Sequence, residues 1–354
     1  MFDLSVYAKK HVCVAVSGGR DSMALIFFLY THMQEYGITL SALNCDHKIR
    51  GEASARDSAL VERWCKERNI PLMKFVWNFD GVKTEQNARI WRRECYKAAI
   101  ERGADFVATA HHMNDNAETV LFNLARGSAV AGIAGIVDGE KIIHPMISCT
   151  RMQIDAYVAE NNIPYADDET NFTDGYTRNK IRLNVLPELE KAVPNAIGNI
   201  YRLSRLALED EKYFKKIIEE REILLITEFG VEIKLCESVI FKRAAVQAIK
   251  YFNCKDYTSE HLEKLYLLAL AEKNKKFEFL GLTAYGAEGK IVITNGVNQG
   301  GEIAFSSYKG DNFCGRKLII SRTAKNGETT LKFDMSLLPE NAVIRFKRDG
   351  DKFK

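Results

Sequence analysis

Length, composition and charge place this chain among ordinary globular proteins. Its 354 residues allow two or three domains, and 46% hydrophobic with 27% charged residues allow a sizeable core. No run of about 18 apolar residues occurs, so no membrane span is expected, and the net charge of +3 neither requires nor excludes a nucleic-acid partner.

The N-terminal stretch predicts a strand, a tight glycine loop and a helix. Val12, Val14 and Val16 indicate a buried strand, and residues 23–30 (MALIFFLY) indicate a buried helix. Paired glycines allow positive φ and close approach to a ligand, and the N–H groups at a helix start favour phosphate. The alternative is an ordinary Gly-Gly turn capped by Asp and Ser. The loop residues predicted to bind a nucleotide are Ser17, Gly18, Gly19, Arg20, Asp21 and Ser22.

The next 100 residues alternate between strand and helix patterns. This alternation predicts an α/β fold with a doubly wound, mostly parallel, Rossmann-like sheet. The predicted strands are Thr39–Cys45, Pro71–Trp77, Asp105–Ala110 and Lys141–His144, and the predicted helices are Ala53–Asn69, Asn87–Arg102 and Asn114–Arg126.

Polar residues follow several of the predicted strands. The glycine loop, the pair Asp46 and His47, and the pair His111 and His112 all come just after strand ends. Since ligands of such sheets bind at the carboxyl ends of the strands, we expect these residues to converge. Taken alone, Asp46 is better explained as a helix or turn cap, and the two histidines as one core and one exposed residue. Three such sets at equivalent strand ends favour a site.

Two further charged groups stand out along the chain. Asp115 and Glu118 fall three apart in the first turn of a predicted helix, where acidic side chains suit the helix dipole but could also bind an ammonium group or a metal ion. Arg178, Lys180 and Arg182 form a basic cluster that is either a solvated face or a grip for phosphates.

The pattern becomes mainly helical after about residue 194. Helices are predicted at Ile197–Ile226, Ser238–Phe252 and Ser259–Glu272, the last with Ser259 as its N-cap, and strands at Lys276–Leu280 and Lys290–Thr294. We therefore predict a catalytic domain at 1–193, a mainly helical domain at 194–311, and a linker with the start of a further domain at 312–354.

Five ordered blocks of this sequence resemble the tRNA(Ile)-lysidine synthetase family of PP-loop ATP pyrophosphatases. They are SGGRDS at 17–22, NCDHKIRGEAS at 44–54, TEQNARIWRRECY at 84–96, AHHMNDNAETVLFNLARGS at 110–128 and YTRNKIRLNVLP at 176–187. The sequence departs from the family pattern at Asn114, where the family has an aspartate. Its last residues resemble the opening of the family's C-terminal domain.

The resemblance implies an ATP-dependent ligase that joins lysine to C2 of the wobble cytidine of tRNA(Ile) with a CAU anticodon. An adenylated cytidine would be the intermediate, and AMP and pyrophosphate the products. ATP, Mg²⁺, free lysine and the tRNA are the implied cofactors and partners. The implied catalytic residues are Asp46, His111, Asp115, Glu118 and Arg89. His47 and the glycine loop would bind the nucleotide, and Asp21 would bind Mg²⁺. The residues that would bind RNA are Arg178, Lys180 and Arg182.

Two rival functions stay open at this point. One is another PP-loop tRNA-modifying enzyme of the thiolase type, although none of the eight cysteines forms the CxxC pair expected there. The other is a non-catalytic tRNA-binding protein, against which the intact SGGRDS loop argues. Scattered cysteines and an N-terminus without an apolar signal core predict a cytoplasmic protein with reduced thiols. Whether it forms a homodimer is left open.

Overall fold

The computed structural model describes most of the chain as two compact units. The described residues are 3–46, 52–77, 85–166, 177–227, 230–271, 275–287 and 289–295, with four two-residue strands after them. The first unit is Met1–Glu211 and the second is Lys212–Lys354. The division falls inside one long helix, whereas the sequence-based domain boundary lies at 193/194.

A five-stranded sheet, parallel throughout, forms the centre of the first unit, which confirms the predicted α/β fold. Its strands are β1 (His11–Ala15), β2 (Thr39–Asp46), β3 (Leu72–Val76), β4 (Phe106–Ala108) and β5 (Ile142–Ile143), in the spatial order β3-β2-β1-β4-β5. The chain therefore leaves β1 toward one side and later returns to its other side as β4. The carboxyl ends of β1 and β4 form the switch point at which such sheets bind ligands.

Helices cover both faces of this sheet. They are α1 (Arg20–Tyr36), α2 (Glu52–Glu67), α3 (Glu85–Glu101), α4 (Met113–Ala125), the short α5 (Val130–Ile133) and α6 (Arg151–Glu160). Val12 and Val14 of β1 pack in one core cluster with residues of α1, α2 and α6, while Cys13 packs in another with Ala99 of α3. The central strand is thus buried on both faces, as its unbroken apolar run indicates.

Helix α6 is an element that the sequence analysis missed. Its apolar residues are spread around the helix, with Met152 81% exposed and Ile154 fully buried, so helical periodicity is weak. Its start does carry a local signal: Thr150 accepts from the backbone N–H of Gln153, whose side chain bonds back to the backbone N–H of Thr150. This capping box, readable as T-x-x-Q, could have located the helix.

Four helical segments close the first unit and lead into the second. They are α7 (Thr177–Lys180), a π-helical turn (Ile181–Val185), α8 (Leu186–Ala192) and α9 (Ala196–Glu220). The prediction that α9 runs to Ile226 is wrong. Glu222 adopts a positive φ of 47°, and the backbone N–H of Ile223 returns to the carbonyl of Ile218, which ends the helix.

Within the described residues, the second unit contains the end of α9, two further helices and an antiparallel sheet with the order β6-β7-β10-β9-β8. The helices are α10 (Ser238–Tyr251) and α11 (Ser259–Leu270), and the strands are β6 (Leu224–Thr227), β7 (Gly230–Lys234), β8 (Lys276–Phe279), β9 (Leu282–Ala287) and β10 (Lys290–Thr294). Of these strands, the sequence predicted β8 and β10. Thr258 caps α11, not Ser259 as predicted, because its hydroxyl accepts from the backbone N–H of His261.

The hydrophobic core of the second unit is formed in part by alternate residues of its short strands. Val231 and Ile233 of β7 and Ile291 and Ile293 of β10 all point inward and are fully buried, packing with Phe241 of α10. Beyond residue 295, β11 (Ile303–Ala304) pairs with β14 (Val343–Ile344), and β12 (Asn312–Phe313) pairs with β13 (Arg316–Lys317). Among the described helices, none is long and apolar enough to cross a membrane.

Candidate active site at the carboxyl ends of the strands

The loop between β1 and α1 has the backbone geometry of an anion cradle. Gly18 has a φ of 91°, and a Cβ there would lie 3.0 Å from the backbone oxygen of Asp57, so both conformation and space require glycine. Gly19 is the N-cap of α1, and no side chain caps this helix. The start of a 17-residue helix is therefore directed at whatever binds beside the loop.

Two of the loop amides are already bonded to hydroxyl groups of the loop itself. The backbone N–H of Ser17 donates to Ser22 Oγ at 3.2 Å, and that of Gly19 donates to Ser17 Oγ at 3.3 Å. Ser22 Oγ in turn donates to the carbonyl of Gly19 at 2.8 Å. These bonds hold the loop in shape, and a phosphate oxygen would have to replace the hydroxyl acceptors at both amides.

Arg20, predicted to bind the nucleotide, is turned toward α6. Its Nη1 lies 2.8 Å from Asp155 Oδ1, and its guanidinium lies 4.7 Å from the centroid of the Tyr165 ring. These three residues help to line a shallow depression of about 240 Å³. The adjoining residue Ala166 donates its N–H to the carbonyl of Gly18 at 2.9 Å, so this segment rests on the loop.

Asp21 connects the glycine loop to the histidine block after β4. Nη1 of Arg151 donates to both carboxylate oxygens of Asp21, at 3.1 and 3.0 Å. His112 Nε2 lies 3.8 Å from Asp21 Oδ2 and 3.5 Å from Asp115 Oδ2. Burial raises the pKa of Asp21, and the nearby Asp115 adds to this, while His112 and Arg151 oppose it.

His112 is the functional residue that the sequence analysis undervalued. It is 4% exposed and caps α4, because its Nδ1 accepts from the backbone N–H of Asn114 at 3.2 Å. In the neutral ring this assigns the proton to Nε2, the atom that faces the two carboxylates. Its place after a strand end marked the pair His111 and His112, but the sequence did not show which histidine of the pair points inward.

Asp115 and Glu118 share one guanidinium group. Arg182 donates from Nε to Glu118 Oε1 at 2.6 Å, and from Nη2 to Glu118 Oε2 and Asp115 Oδ1, both at 3.0 Å. Both acids therefore lie on one face of α4, as their spacing predicts. Arg182, predicted to bind RNA, pairs with these acids.

The environments of the two acids push their pKa values in opposite directions. Burial raises the pKa of Glu118 above its usual range, although Arg182 opposes the shift. Burial acts in the same way on Asp115, but His112, His111, a backbone N–H bond and Arg182 outweigh it and lower the pKa of Asp115. Asp115 is thus the firmly ionised member of the pair, and Glu118 is the stronger base.

His111 lies at the end of β4 and contacts a second histidine. Its Nδ1 is 2.8 Å from Thr109 Oγ1, and its ring centroid is 5.1 Å from that of His144, whose Nδ1 is 3.0 Å from Asp138 Oδ1. Although His111 is exposed, the surrounding protein desolvates the imidazolium and lowers the pKa of His111 to about 4. His111 is therefore neutral near neutral pH.

The other predicted residues lie on β2, α3 and α7 or outside the described ranges. Asp46 ends β2, and its carbonyl accepts from the N–H of Trp77 at 2.9 Å. Arg89 is exposed on α3, whereas Arg92, one turn along, interacts electrostatically with His111. His47 is not among the described residues. Lys180 is exposed, next to Arg178 on α7.

Asn114, the departure from the family pattern, has a structural contact of its own. Its Oδ1 accepts from the backbone N–H of Arg151 at 3.1 Å, which ties the start of α4 to the start of α6.

Within the described part of the chain, no group of three or more His, Cys, Asp or Glu side chains is arranged to hold a metal ion.

Comparison with known proteins connects these features to one family. A family model described as a PP-loop domain matches residues 3–189. A tRNA(Ile)-lysidine synthase of Caldanaerobacter subterraneus is 34% identical, covering 70% of this chain and 56% of the relative. Another, from Clostridium perfringens, is 32% identical, covering 90% of this chain and 67% of the relative.

Two further matches cover less of this chain. A tRNA(Ile)-lysidine synthase of Thermotoga maritima is 35% identical over 63% of this chain and 56% of its own length. This chain thus spans little more than half the length of several curated relatives. A solved U34-tRNA thiolase, NcsA from Methanococcus maripaludis, aligns with a TM-score of 0.49 and 19% identity, covering 56% of this chain and 73% of the thiolase.

Proposed function

The chain belongs to the tRNA(Ile)-lysidine synthase family of PP-loop proteins, and from this premise we propose that it ligates lysine to C2 of the wobble cytidine of tRNA(Ile). The reaction would consume ATP and release AMP and pyrophosphate. The observation that carries the proposal is the position of His112, 3.8 Å from Asp21 of the glycine loop and 3.5 Å from Asp115 of the acid pair. A nucleotide cradle and a cation site therefore share one cleft.

The glycine loop would hold the phosphates of ATP. Gly18 and Gly19 permit close approach of the phosphates, and the start of α1 supplies N–H groups and a favourable dipole. Mg²⁺ commonly binds through one or two carboxylates together with phosphates and water, so Asp21 fits as a single protein ligand. Arg151 donates to both carboxylate oxygens of Asp21, so at least one of these two hydrogen bonds would have to break when Asp21 binds Mg²⁺.

Asp115 and Glu118 would bind and activate lysine. Their oxygens already bond to a guanidinium, which stands in for the cationic groups of the amino acid. Asp115 stays ionised and would hold an ammonium group. Glu118, with its raised pKa, would take the proton from the ε-amine before attack, because a base is most effective when its pKa approaches the working pH.

The proposed reaction balances with ATP, the tRNA and lysine as its reactants. The C2 oxygen of cytosine attacks the α-phosphate of ATP and pyrophosphate leaves. The lysine nitrogen then attacks C2, the C–O bond breaks, and AMP departs with that oxygen. Neutral His111, at the end of β4, would line the nucleotide pocket together with Asp46. Transfer of AMP converts a poor leaving group into a good one.

The proposal is tested by supplying tRNA(Ile) with a CAU anticodon, ATP and lysine, and measuring lysidine and pyrophosphate. Asp115→Asn should reduce lysidine formation by at least a hundredfold while ATP binding persists. Glu188→Gln, a change at an exposed carboxylate of α8, is the matched control and should retain activity. Near-normal lysidine formation by Asp115→Asn would refute the assignment of the lysine site.

The same assay separates the rival functions. Each amino acid, and separately a sulfur donor, is offered with tRNA and ATP. Pyrophosphate release that depends on lysine supports the ligase. Release that depends on the sulfur donor identifies a thiolase, and tRNA binding without any release identifies a non-catalytic binder.

A further inference from the structure

Helix α4 extends the face that carries the acid pair toward its own C-terminus. Phe122 follows Glu118 by four residues and Arg126 follows Phe122 by four, so the three share one side of the helix. On the segment packed against α4, Arg178 precedes Arg182 by four residues. Two facing rows of side chains therefore run from the acid pair to the end of α4.

Both additional arginines lie against one aromatic ring. The guanidinium carbon of Arg126 is 5.3 Å from the centroid of Phe122, and that of Arg178 is 6.0 Å from it. No carboxylate in the described ranges pairs with either guanidinium, whereas Arg20, Arg151 and Arg182 all form ion pairs. The ring thus positions two cations whose charges no described carboxylate compensates.

We propose that Phe122, Arg126 and Arg178, here called the arginine platform, bind the RNA nucleotides next to the one that enters the acid pair. This inference rests on the proposed function and adds Arg126 and Phe122 to the surface that contacts RNA. Four helical residues span about 6 Å, so the platform begins one turn from Glu118.

The charge distribution explains why such a platform is needed. An acid pair that attracts a lysine cation repels the phosphates of a polyanion, so RNA needs adjacent cations to approach it. Guanidinium groups suit this task because they bond to phosphate in a planar, two-pronged manner and also stack on bases. The half-buried ring of Phe122 supports both guanidinium groups at the end of α4, one to two helical turns from Glu118.

The test measures RNA binding without ATP or lysine, so that it does not depend on catalysis. The double variant Arg126→Gln, Arg178→Gln is compared with the unmodified chain by titrating labelled tRNA(Ile) at several salt concentrations. Each single-strand phosphate contact contributes about 0.7 to the slope of log affinity against log salt. We expect the slope to fall by about 1.4 and the affinity to fall about tenfold near physiological ionic strength.

Arg102→Gln is the matched control. Its guanidinium also lies over a phenylalanine, 5.8 Å from the Phe75 centroid, but Arg102 lies in the connection between α3 and β4, not on α4 or on the segment packed against it. It should leave both slope and affinity unchanged. Phe122→Leu retains an apolar side chain in the α4 packing and tests the ring itself, with a smaller expected loss.

Three outcomes would overturn the inference. One is an unchanged slope in the double variant, and another is an equal loss in Arg102→Gln. The third is an equal loss for a blunt RNA duplex without a loop, which would indicate general charge attraction. Failure of the proposed function looks different: lysidine would not form, yet the salt slope would still depend on Arg126 and Arg178.

Discussion

Arg182 should stabilise the folded chain in a strongly pH-dependent way, and Arg182→Gln tests this. The change removes a guanidinium that donates three hydrogen bonds to Glu118 and Asp115. The Glu118 side chain is 6% exposed and that of Asp115 is 18% exposed, so both carboxylates lose their partner in a poorly solvated place. Glutamine is polar and shorter and cannot replace the charge.

The magnitude follows from burial and screening. Leaving a fully buried charge without its partner costs about 3–5 kcal/mol. The Arg182 side chain is 38% exposed, so water already screens part of the interaction and the loss is smaller. We expect the free energy of unfolding to fall by about 1–3 kcal/mol near pH 7.

The pH dependence has a defined sign. The pKa of Glu118 is raised above its ordinary value of 4.5, so the stability linked to this group is present below that pH and is lost as pH rises through the folded pKa. Without Arg182 the folded pKa climbs further, which deepens the loss at neutral pH. The pKa of Asp115 is lowered, so the stability that it contributes appears as pH rises, and part of that is lost too.

Urea unfolding at about pH 4 and about pH 7 provides the measurement. The difference in free energy of unfolding between Arg182→Gln and the unmodified chain should be largest near pH 7. It should shrink near pH 4, where Glu118 is protonated in both proteins. Adding Glu118→Gln should recover part of the loss, because no buried glutamate charge then remains without a partner. Lys191→Gln, at an ion pair whose two side chains are each 71% exposed, should change nothing measurable. An equal deficit at both pH values, or strict additivity in the double variant, would refute the reasoning.

Three other predictions concern the glycine loop, the core and His111. Gly18→Ala should lower the free energy of unfolding by about 1–3 kcal/mol and weaken ATP binding, because the φ of Gly18 is 91° and the backbone of Asp57 leaves no room for a Cβ. Gly103→Ala, at a residue with a φ of 99° and open space around it, should lower the free energy of unfolding by less in the same urea titration. Asn116→Ala should cost about 2–4 kcal/mol, since this fully buried amide bonds to two distant segments; a loss below about 0.5 kcal/mol would show that water replaces it. An NMR titration of His111 should give a pKa of about 4, and a midpoint at the ordinary value of 6.5 would contradict the desolvation described here.

Local sequence patterns were enough to predict the architecture of the first unit and the edge of the sheet at which its polar residues gather. Strand and helix patterns are local, so alternating apolar runs located β1 to β4 and α1 to α4 correctly. The carboxyl-end rule then gathered the glycine loop and the His111 and His112 pair, beside which the acid pair begins α4, without any knowledge of distances. The acid spacing on α4 is likewise local, since three residues make nearly one helical turn.

Tertiary structure alone decided which side chains complete the cleft. Arg151 reaches Asp21 across 130 residues of chain, and Arg182 reaches Glu118 across 64. No periodicity encodes such contacts, because they depend on how whole elements pack. The π-helical turn at Ile181–Val185 contains Arg182, and no simple sequence pattern predicts such a turn. Arg182 therefore read as part of a surface cluster, and only the packing of its segment on α4 brings it between the two carboxylates.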